Sequence, residues 1–481
     1  MTMCAAAIFF TACTNELEEN TLSSDALVLT VGDYPVFSEG LETRAVGTFD
    51  PGKTAWENGD KVLIRVSSNG SVTQYATLTY NGTTWTATPT LTRPTDNYTV
   101  NAWYAPAYEW GTNNTLTLIS GGQAGTDEFL TTTSTTSSID FSNATRNYSR
   151  LRFVSSTNTS LTVTLSNFNP AGGNATNNYR ATLTTDSKGN AYLYGSWSST
   201  PTLTVNADYL DNGELSKSLT SFIASKSYAV DTPKMINTIP SSWNGSTTNI
   251  TGYYKLTADI TLTENWTPIG NATTNTQEGR FIGTFDGNGH TIRNLTYSAN
   301  TNDFGLFRVI GSNGVVRNLK LENCSISGSG DTYGGIVGTN YGTIENCHVS
   351  GSITGGNDVG GIVGSGRSPG LIIACSNSAT INGTDNVGGI EGASNGTNMI
   401  SCCNTGTVTG TTSYVGGISG WPRSSAKSTT CYFSAGNNNS FGTYTASWTQ
   451  EVVNSMNVAL QQNGYDYQYE LDGGKPVINN P

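Results

Sequence analysis

The pentapeptide GGIVG stands at 334–338 and again at 360–364; GGIEG follows at 388–392 and GGISG at 416–420. The copies start 26, 28 and 28 residues apart. A fixed period of this size marks a chain that stacks one structural unit on the next. Each copy is followed by a cysteine, a Ser/Thr/Asn-rich turn and an isolated aliphatic. In 386–410, NVGGIEGASNGTNMISCCNTGTVTG, the lap reads as short strands VGGI, MISC and TVTG separated by Gly and Asn turns. Such laps stack about 4.8 Å apart, with inward aliphatics forming columns. Parallel strands are joined by right-handed crossovers. The expected fold over 251–435 is therefore a right-handed parallel β-helix solenoid of about six coils.

The cysteines set the expected register. Cys347, Cys375 and Cys402 each stand six residues before Ile353, Ile381 and Val408. Cys324 and Cys431 fall at similar places in the first and last coils and are expected in the same column. Buried thiols there act as small hydrophobes. Disulfides between neighbouring coils are the alternative. No pair has C-x-x-C metal spacing, and no metal or cofactor is expected.

The rest of the chain is also all-β. Only 12% of its 481 residues are charged, and Gly numbers 55. Thr, Tyr and Val favour strands. The net charge of −12 argues against binding a nucleic-acid backbone. ATLTYNGTTWTATP (76–89) reads as a hairpin turning at Asn81-Gly82. LTVTLSNF (161–168), YRATLTT (179–185), NAYLYGSW (190–197) and KSYAVDT (226–232) read as strands. Strands at this spacing imply sandwiches. We expect a first β-sandwich domain over 46–155, a second over 156–240 and a Pro/Ser/Asn-rich connection at 236–250. SWTQEVVNSMNVALQQN (447–463) reads as a helix, with Trp448, Val452, Met456 and Leu460 every four residues and Ser447 placed to cap it. With a last strand at 475–479, the 447–481 segment is expected to cap the open end of the solenoid.

The N-terminus carries an address. AAAIFFTA (5–12) precedes Cys13, and TNELEEN follows. This resembles a bacterial lipoprotein signal (1–13) with Phe10-Thr11-Ala12-Cys13 as lipobox, then a polar tether (14–45). The resemblance implies acylation at Cys13 and attachment to outer-membrane lipid, exposed at the cell surface. No later stretch is long and apolar enough to span a bilayer as a helix. The series Thr43-Arg44-Ala45, W-x-x-G-D-K-x-x-I (56–64) and Y-x-G-x-x-W (80–85) resembles the fimbrillin-like surface lipoproteins over 13–235. That likeness implies tandem transthyretin-like sandwiches acting as pilus subunits or adhesins. It also implies cleavage after Arg44, freeing a groove for a donor strand from another subunit. Further on, FIGTFDGNGHTIRNL (281–295), GLF (305–307) and the GGI-x-G copies resemble the GLUG-motif repeats of bacterial surface proteins.

Concentrated chemistry is sparse. The two histidines are His290, near Asp286, and His348. Because FDGNGHTI belongs to the repeat lead-in, a turn role is expected for Asp286 and His290 rather than acid–base catalysis. Asp331, Asp358 and Asp385 recur before the GGI-x-G copies; Asx-turns are expected, with a Ca²⁺ line as the alternative. Trp103, Tyr104, Tyr108 and Trp110 cluster and are the candidate ligand contacts, weighed against simple core packing. The expected function is a non-catalytic adhesin or fimbrial tip or accessory subunit, whose partners are other fimbrial subunits or surface glycans and proteins. The alternatives are a glycan-binding lipoprotein of a polysaccharide-uptake system and a β-helix carbohydrate-active enzyme.

Overall fold

The computed structural model describes residues 25–479 apart from 36–52, 70, 143, 145, 188, 198–199, 220–222, 274, 412–413, 424, 435–440 and 466. Cys13, the lipobox and Arg44 lie outside the described residues. The chain forms two compact units that divide near 146/147.

The first unit is built on a five-stranded antiparallel sheet in the order Trp85–Thr88, Ser71–Tyr80, Lys61–Ser68, Tyr98–Tyr104, Leu130–Ser134. The expected hairpin pairs Tyr80 with Trp85. Its connection is four residues, held by Asn81 Oδ1 accepting from the N–H groups of Thr83 and Thr84. The N-terminal segment lies in this unit. Thr30–Val31 pairs in parallel with Ser138–Ile139, and Leu27, Leu29 and Tyr34 are buried. Arg146 ties the segment down, donating to the Pro35 carbonyl (2.6 Å) while paired with buried Glu128 (3.2 Å).

The second unit opens with two four-stranded sheets. One holds Phe168–Pro170, Asn190–Trp197, Ser149–Val154 and Ser227–Asp231; the other holds Tyr179–Thr184, Ser160–Leu165, Thr202–Asn206 and Glu214–Ser218. Tyr179–Thr184 alternates buried and exposed residues in the manner of a strand with one core face. Ser149–Val154 pairs with Asn190–Trp197 and Ser227–Asp231, so it belongs here and not with the residues before it. The solenoid also begins earlier than its glycine pattern. Lys234–Ile236 pairs with Tyr254–Leu256, and Trp243 and Ile250 enter the solenoid core. Sandwich and solenoid are joined by hydrogen bonds. Ser156 Oγ donates to the Gly252 carbonyl and accepts from Thr284 N–H.

The C-terminal half is a parallel β-solenoid of about six turns. Its strands form a 17-stranded, a five-stranded and a four-stranded sheet that share the coils. Inward side chains stack in columns. One runs Phe285, Val316, Ile344, Ile372, Met399; another runs Ile326, Ile353, Ile381, Val408. Burying each such side chain contributes roughly 1.5–3 kcal/mol.

The expected strand VGGI proves to be a corner. Tyr333–Gly334 ends one sheet, Gly335 and Ile336 turn the chain, and Val337–Asn340 starts the next. Ile336, Ile362, Ile390 and Ile418 point inward from these corners, and the N–H of each of the first three donates to the next isoleucine's carbonyl at 2.9–3.1 Å. The glycines are sterically required. A Cβ on Gly389 would lie 2.2 Å from the Gly417 carbonyl oxygen and 2.4 Å from the Asn404 side chain.

The cysteine column forms with one substitution. Register stacks Leu319, Cys347, Cys375, Cys402 and Cys431. Cys324 is aligned with Gly351 instead, because Leu321 to Cys324 is one residue longer than Val349 to Gly351. The six cysteines among the described residues, Cys403 included, are free and buried.

The C-terminal helix is Gln450–Gln462, capped by Thr449, whose side chain accepts from Val452 N–H, rather than by Ser447. A hairpin of Gln468–Asp472 and Lys475–Asn479 follows. The helix packs on the flank of the stack: Val453, Met456 and Leu460 meet Ile373, Ala374 and Cys403. Apolar side chains point outward there and give the helix an apolar seat on the flank. Thr443–Tyr444 lies over the last coil, pairing with Tyr432–Phe433.

Candidate functional site

On the flank, one outward register reads Lys255, Asp286, Arg317, Glu345, Ile373, Ile400, Thr429. The first four alternate in charge. Arg317 Nε meets Asp286 Oδ2 at 3.1 Å and its Nη1 lies 3.9 Å from Glu345 Oε1. Its Nη2 donates to the Tyr253 hydroxyl at 2.9 Å. Burial opposes the guanidinium's charge, but Tyr253, Asp286 and Glu345 hold it more strongly protonated than usual. Burial raises the Glu345 carboxyl, opposed by Arg317. This is a paired, desolvated ladder that fixes the coils laterally. It was hidden in the sequence because its members lie some thirty residues apart in coils of unequal length.

The catalytic pair does not assemble. Asp286 is fully buried among Arg317, Asn318 and Asn288, whereas His290 Nδ1 lies 3.2 Å from Asp259 Oδ1 at the surface. Asp259 also takes Arg293 at 2.7 Å, which holds its carboxyl down at about 2. His348 sits between two hydroxyls, Nδ1 at 2.8 Å from Ser376 Oγ and Nε2 at 3.3 Å from Ser378 Oγ; burial lowers its pKa. The three recurring aspartates fall into two registers. Asp331 and Asp385 align with Asn357, and Asp358 aligns with Asn386. Each accepts from a backbone N–H or an asparagine.

Trp103 and Tyr104 point to opposite faces of the five-stranded sheet, and Tyr108 and Trp110 lie on the separate short strand Tyr108–Trp110. Trp103 and Trp110 meet edge-on at 5.7 Å, with Tyr75 against Trp110 and the Arg65 guanidinium 5.3 Å from the Trp103 ring. Both indoles are half-buried, and Trp110 Nε1 donates to the Ala76 carbonyl. Tyr104 is buried on the other face with Tyr34 and Trp56, a core position and not a contact surface. Tyr108 packs on Phe129. The sequence reading missed a more exposed pair on the last coil. Tyr414 and Trp421, 47% and 36% exposed, lie 6.1 Å apart, and the Arg423 guanidinium is 4.5 Å from the Trp421 ring. Nearness to the fourth GGI-x-G copy was the available signal, since Trp421 replaces the small residues Ser365 and Ala393 of its register.

The repeat itself carries another departure. Where earlier coils place Val337 and Val363, the third GGI-x-G copy places Glu391. It is fully buried in the solenoid interior.

Residues 329–354 match the family model described as the GLUG motif. That segment covers one corner with its flanking strands and the long strand Thr343–Thr354. Over 155 residues the chain is 37% identical to Halomucin of Haloquadratum walsbyi, a match covering 31% of this chain and 2% of that protein. Over 157 residues it is 32% identical to a protein of Evansella cellulosilytica provisionally named a Gly-rich membrane protein, covering 24% of this chain and 18% of that one. The chain thus spans a small part of the length of these relatives. Among solved structures, it resembles a protein of Bacteroides ovatus provisionally named an immunoglobulin A1 protease, with a TM-score of 0.39 and 21% identity over 52% of this chain and 93% of that one. It also resembles a protein of Bacteroides fragilis provisionally named a cell adhesion protein, with a TM-score of 0.25 and 10% identity over 42% of this chain and 92% of that one. Neither structural likeness is close enough to carry functional weight.

Proposed function

We propose that this chain is a non-catalytic cell-surface protein of the adhesin or fimbrial type, working as a tip or accessory subunit and held at the outer membrane through an acylated Cys13. The observation that carries the reading is the seating of the segment upstream of Arg44. Leu27, Leu29 and Tyr34 fill the first unit's core, so a cut after Arg44 would free a strand whose loss opens an apolar groove. Extended segments from a partner subunit fit such grooves. The hairpin of Gln468–Asp472 and Lys475–Asn479 is folded onto the solenoid flank, so these two strands are not free to serve as donors, which favours a tip or accessory role over a repeating shaft. The repeats supply a stiff surface for display.

The test is to treat intact cells with external protease and follow shedding of the solenoid, with immunogold labelling of filaments. Labelling at filament ends or on the cell surface is expected. Long homopolymers of purified, Arg44-cleaved protein would overturn the tip or accessory role, and protection from external protease would overturn surface exposure.

A second reading is glycan recognition, favoured by the exposed Tyr414–Trp421 pair and, less directly, by Trp103 and Trp110. Aromatic faces stack on sugar rings. Saturable binding on a glycan array, lost in Trp421→Ala or in Trp103→Ala with Trp110→Ala, would establish it.

A further inference from the structure

Glu391 breaks a hydrophobic column. Its register is Val337, Val363, Glu391, Ser419, and the position is fully buried. Its carboxyl extends over Gly366 of the preceding coil, where a Cβ would fall 1.6 Å from Glu391 Oε1 and 2.0 Å from Thr397 Oγ1. Gly366 thus makes the room that the carboxyl fills. Both carboxyl oxygens, Ser394 Oγ and Thr397 Oγ1 are buried and lack a well-formed hydrogen bond among the described residues. No cation comes within salt-bridge distance of Glu391 among those residues.

An unpaired carboxylate at such a site carries a large desolvation cost, and the group takes up a proton instead. We infer that Glu391 is held as the neutral acid in the folded stack, and that its ionisation loosens the coils around the last two GGI-x-G corners, making this end of the solenoid an acid-stabilised element. As the acid, Glu391 gains a proton to donate to the Ser394 or Thr397 hydroxyl; as the anion it stands between Val363 and Ser419 in its register, with no cation paired to it among the described residues.

The charged groups around it favour the same direction. Asp358, on the strand Asn357–Gly360, adds a like charge. Arg367, at the end of the facing strand Val363–Arg367, acts on Asp358. The strand Ser419–Pro422 on the other side carries no charge, and Lys427, in register with Asn398, is exposed. Burial lifts the Glu391 carboxyl to about 8 from 4.5; the Ser394 and Thr397 hydroxyls oppose the rise and Asp358 adds to it. A folded-state pKa raised above the unfolded value gives a contribution that is complete below about 4.5 and is lost as pH climbs through about 8.

The test is amide hydrogen exchange on the full-length protein at pH 5 and pH 8, compared as protection factors, with Glu391→Gln and Glu391→Val alongside. In the parent, protection across 387–391 and 415–419 is expected to drop on the order of a hundredfold between the two pH values, while the sandwich at 149–231 holds. Both variants should lose that pH dependence. Glu391→Val restores the residue type of the earlier coils and serves if Glu391→Gln folds poorly. Equal protection of the parent at both pH values, or a variant that keeps the drop, would overturn the inference.

Discussion

The sandwich at 149–231 and the solenoid that follows it share one compact unit and one vocabulary of Thr, Val, Ile and Gly, yet they store their core information differently. In Tyr179–Thr184 the core face is written within six residues: Tyr179, Ala181 and Leu183 inward, Arg180, Thr182 and Thr184 outward. In the solenoid a core column is written one residue per coil, as in Ile336, Ile362, Ile390 and Ile418. A sandwich residue leans on varied neighbours that can adjust. A column residue leans on copies of itself whose backbones are pinned by the same hydrogen bonds. The solenoid should therefore tolerate added volume worse than the sandwich, and its corners worst of all.

The sharpest contrast is between two glycines. Gly389→Val forces a side chain into the neighbouring coil's backbone and should cost upward of about 4 kcal/mol, whereas Gly213→Ala, at φ +73° with no heavy atom near its Cβ direction, should cost about 1 kcal/mol. Urea unfolding followed by circular dichroism compares them; similar midpoints would break the distinction. Next comes the charge ladder. Arg317→Ala strands Asp286 and Glu345 and should cost about 3–5 kcal/mol, while replacing Asp286, Arg317 and Glu345 together with Leu, Met and Leu should come near neutral. If the triple variant is as unstable as the single one, the ladder is needed for more than charge balance. The thiol column should respond less. Cys375→Ala should cost about 1 kcal/mol and Cys375→Ser about 1–2 kcal/mol, because the hydroxyl must be buried. In the native protein the six described cysteines should resist a thiol reagent that labels them after unfolding. The smallest effect belongs to the surface pair at the solenoid's start. Arg293→Ala should leave the unfolding midpoint unchanged and move the Asp259 titration, read by NMR, from about 2 toward the usual carboxylate range. Asp259 has a lowered folded pKa, so what little it contributes is present above its unfolded value and fades as pH falls toward 2.

These contrasts show where sequence reading succeeds. The solenoid was legible because GGI-x-G repeats at nearly constant spacing, and the six-residue offset from Cys347, Cys375 and Cys402 to Ile353, Ile381 and Val408 survives as stacked columns. That GGI is a corner was not legible, since glycines carry no side-chain pattern to separate a turn from a two-residue strand. Cys324 was misplaced because one extra residue shifts its register, and periodicity alone does not locate an insertion. The helix was legible from its four-residue period, but not its seat, because Ile373 and Cys403 look like core residues until the neighbouring Ile372 and Cys402 take the inward positions. At the candidate contacts, Trp103 and Trp110 come together, whereas Tyr104, their neighbour in sequence, is turned to the opposite face by strand alternation.

The seat of the helix has a mechanical consequence. A pull on the last strands of a bare solenoid would peel it open one coil at a time, each step breaking only a few hydrogen bonds. Here the helix and hairpin rest on Ile373 in one coil, Ile400 and Cys403 in the next and Tyr432 beyond, and Tyr467 reaches back to Glu345. A load arriving at the C-terminus meets this splint before it meets any coil edge, and must shear apolar contacts across several laps at once. Resistance to peeling is then a property of thirty residues laid crosswise, and trimming them should turn an abrupt rupture under force into a gradual unravelling.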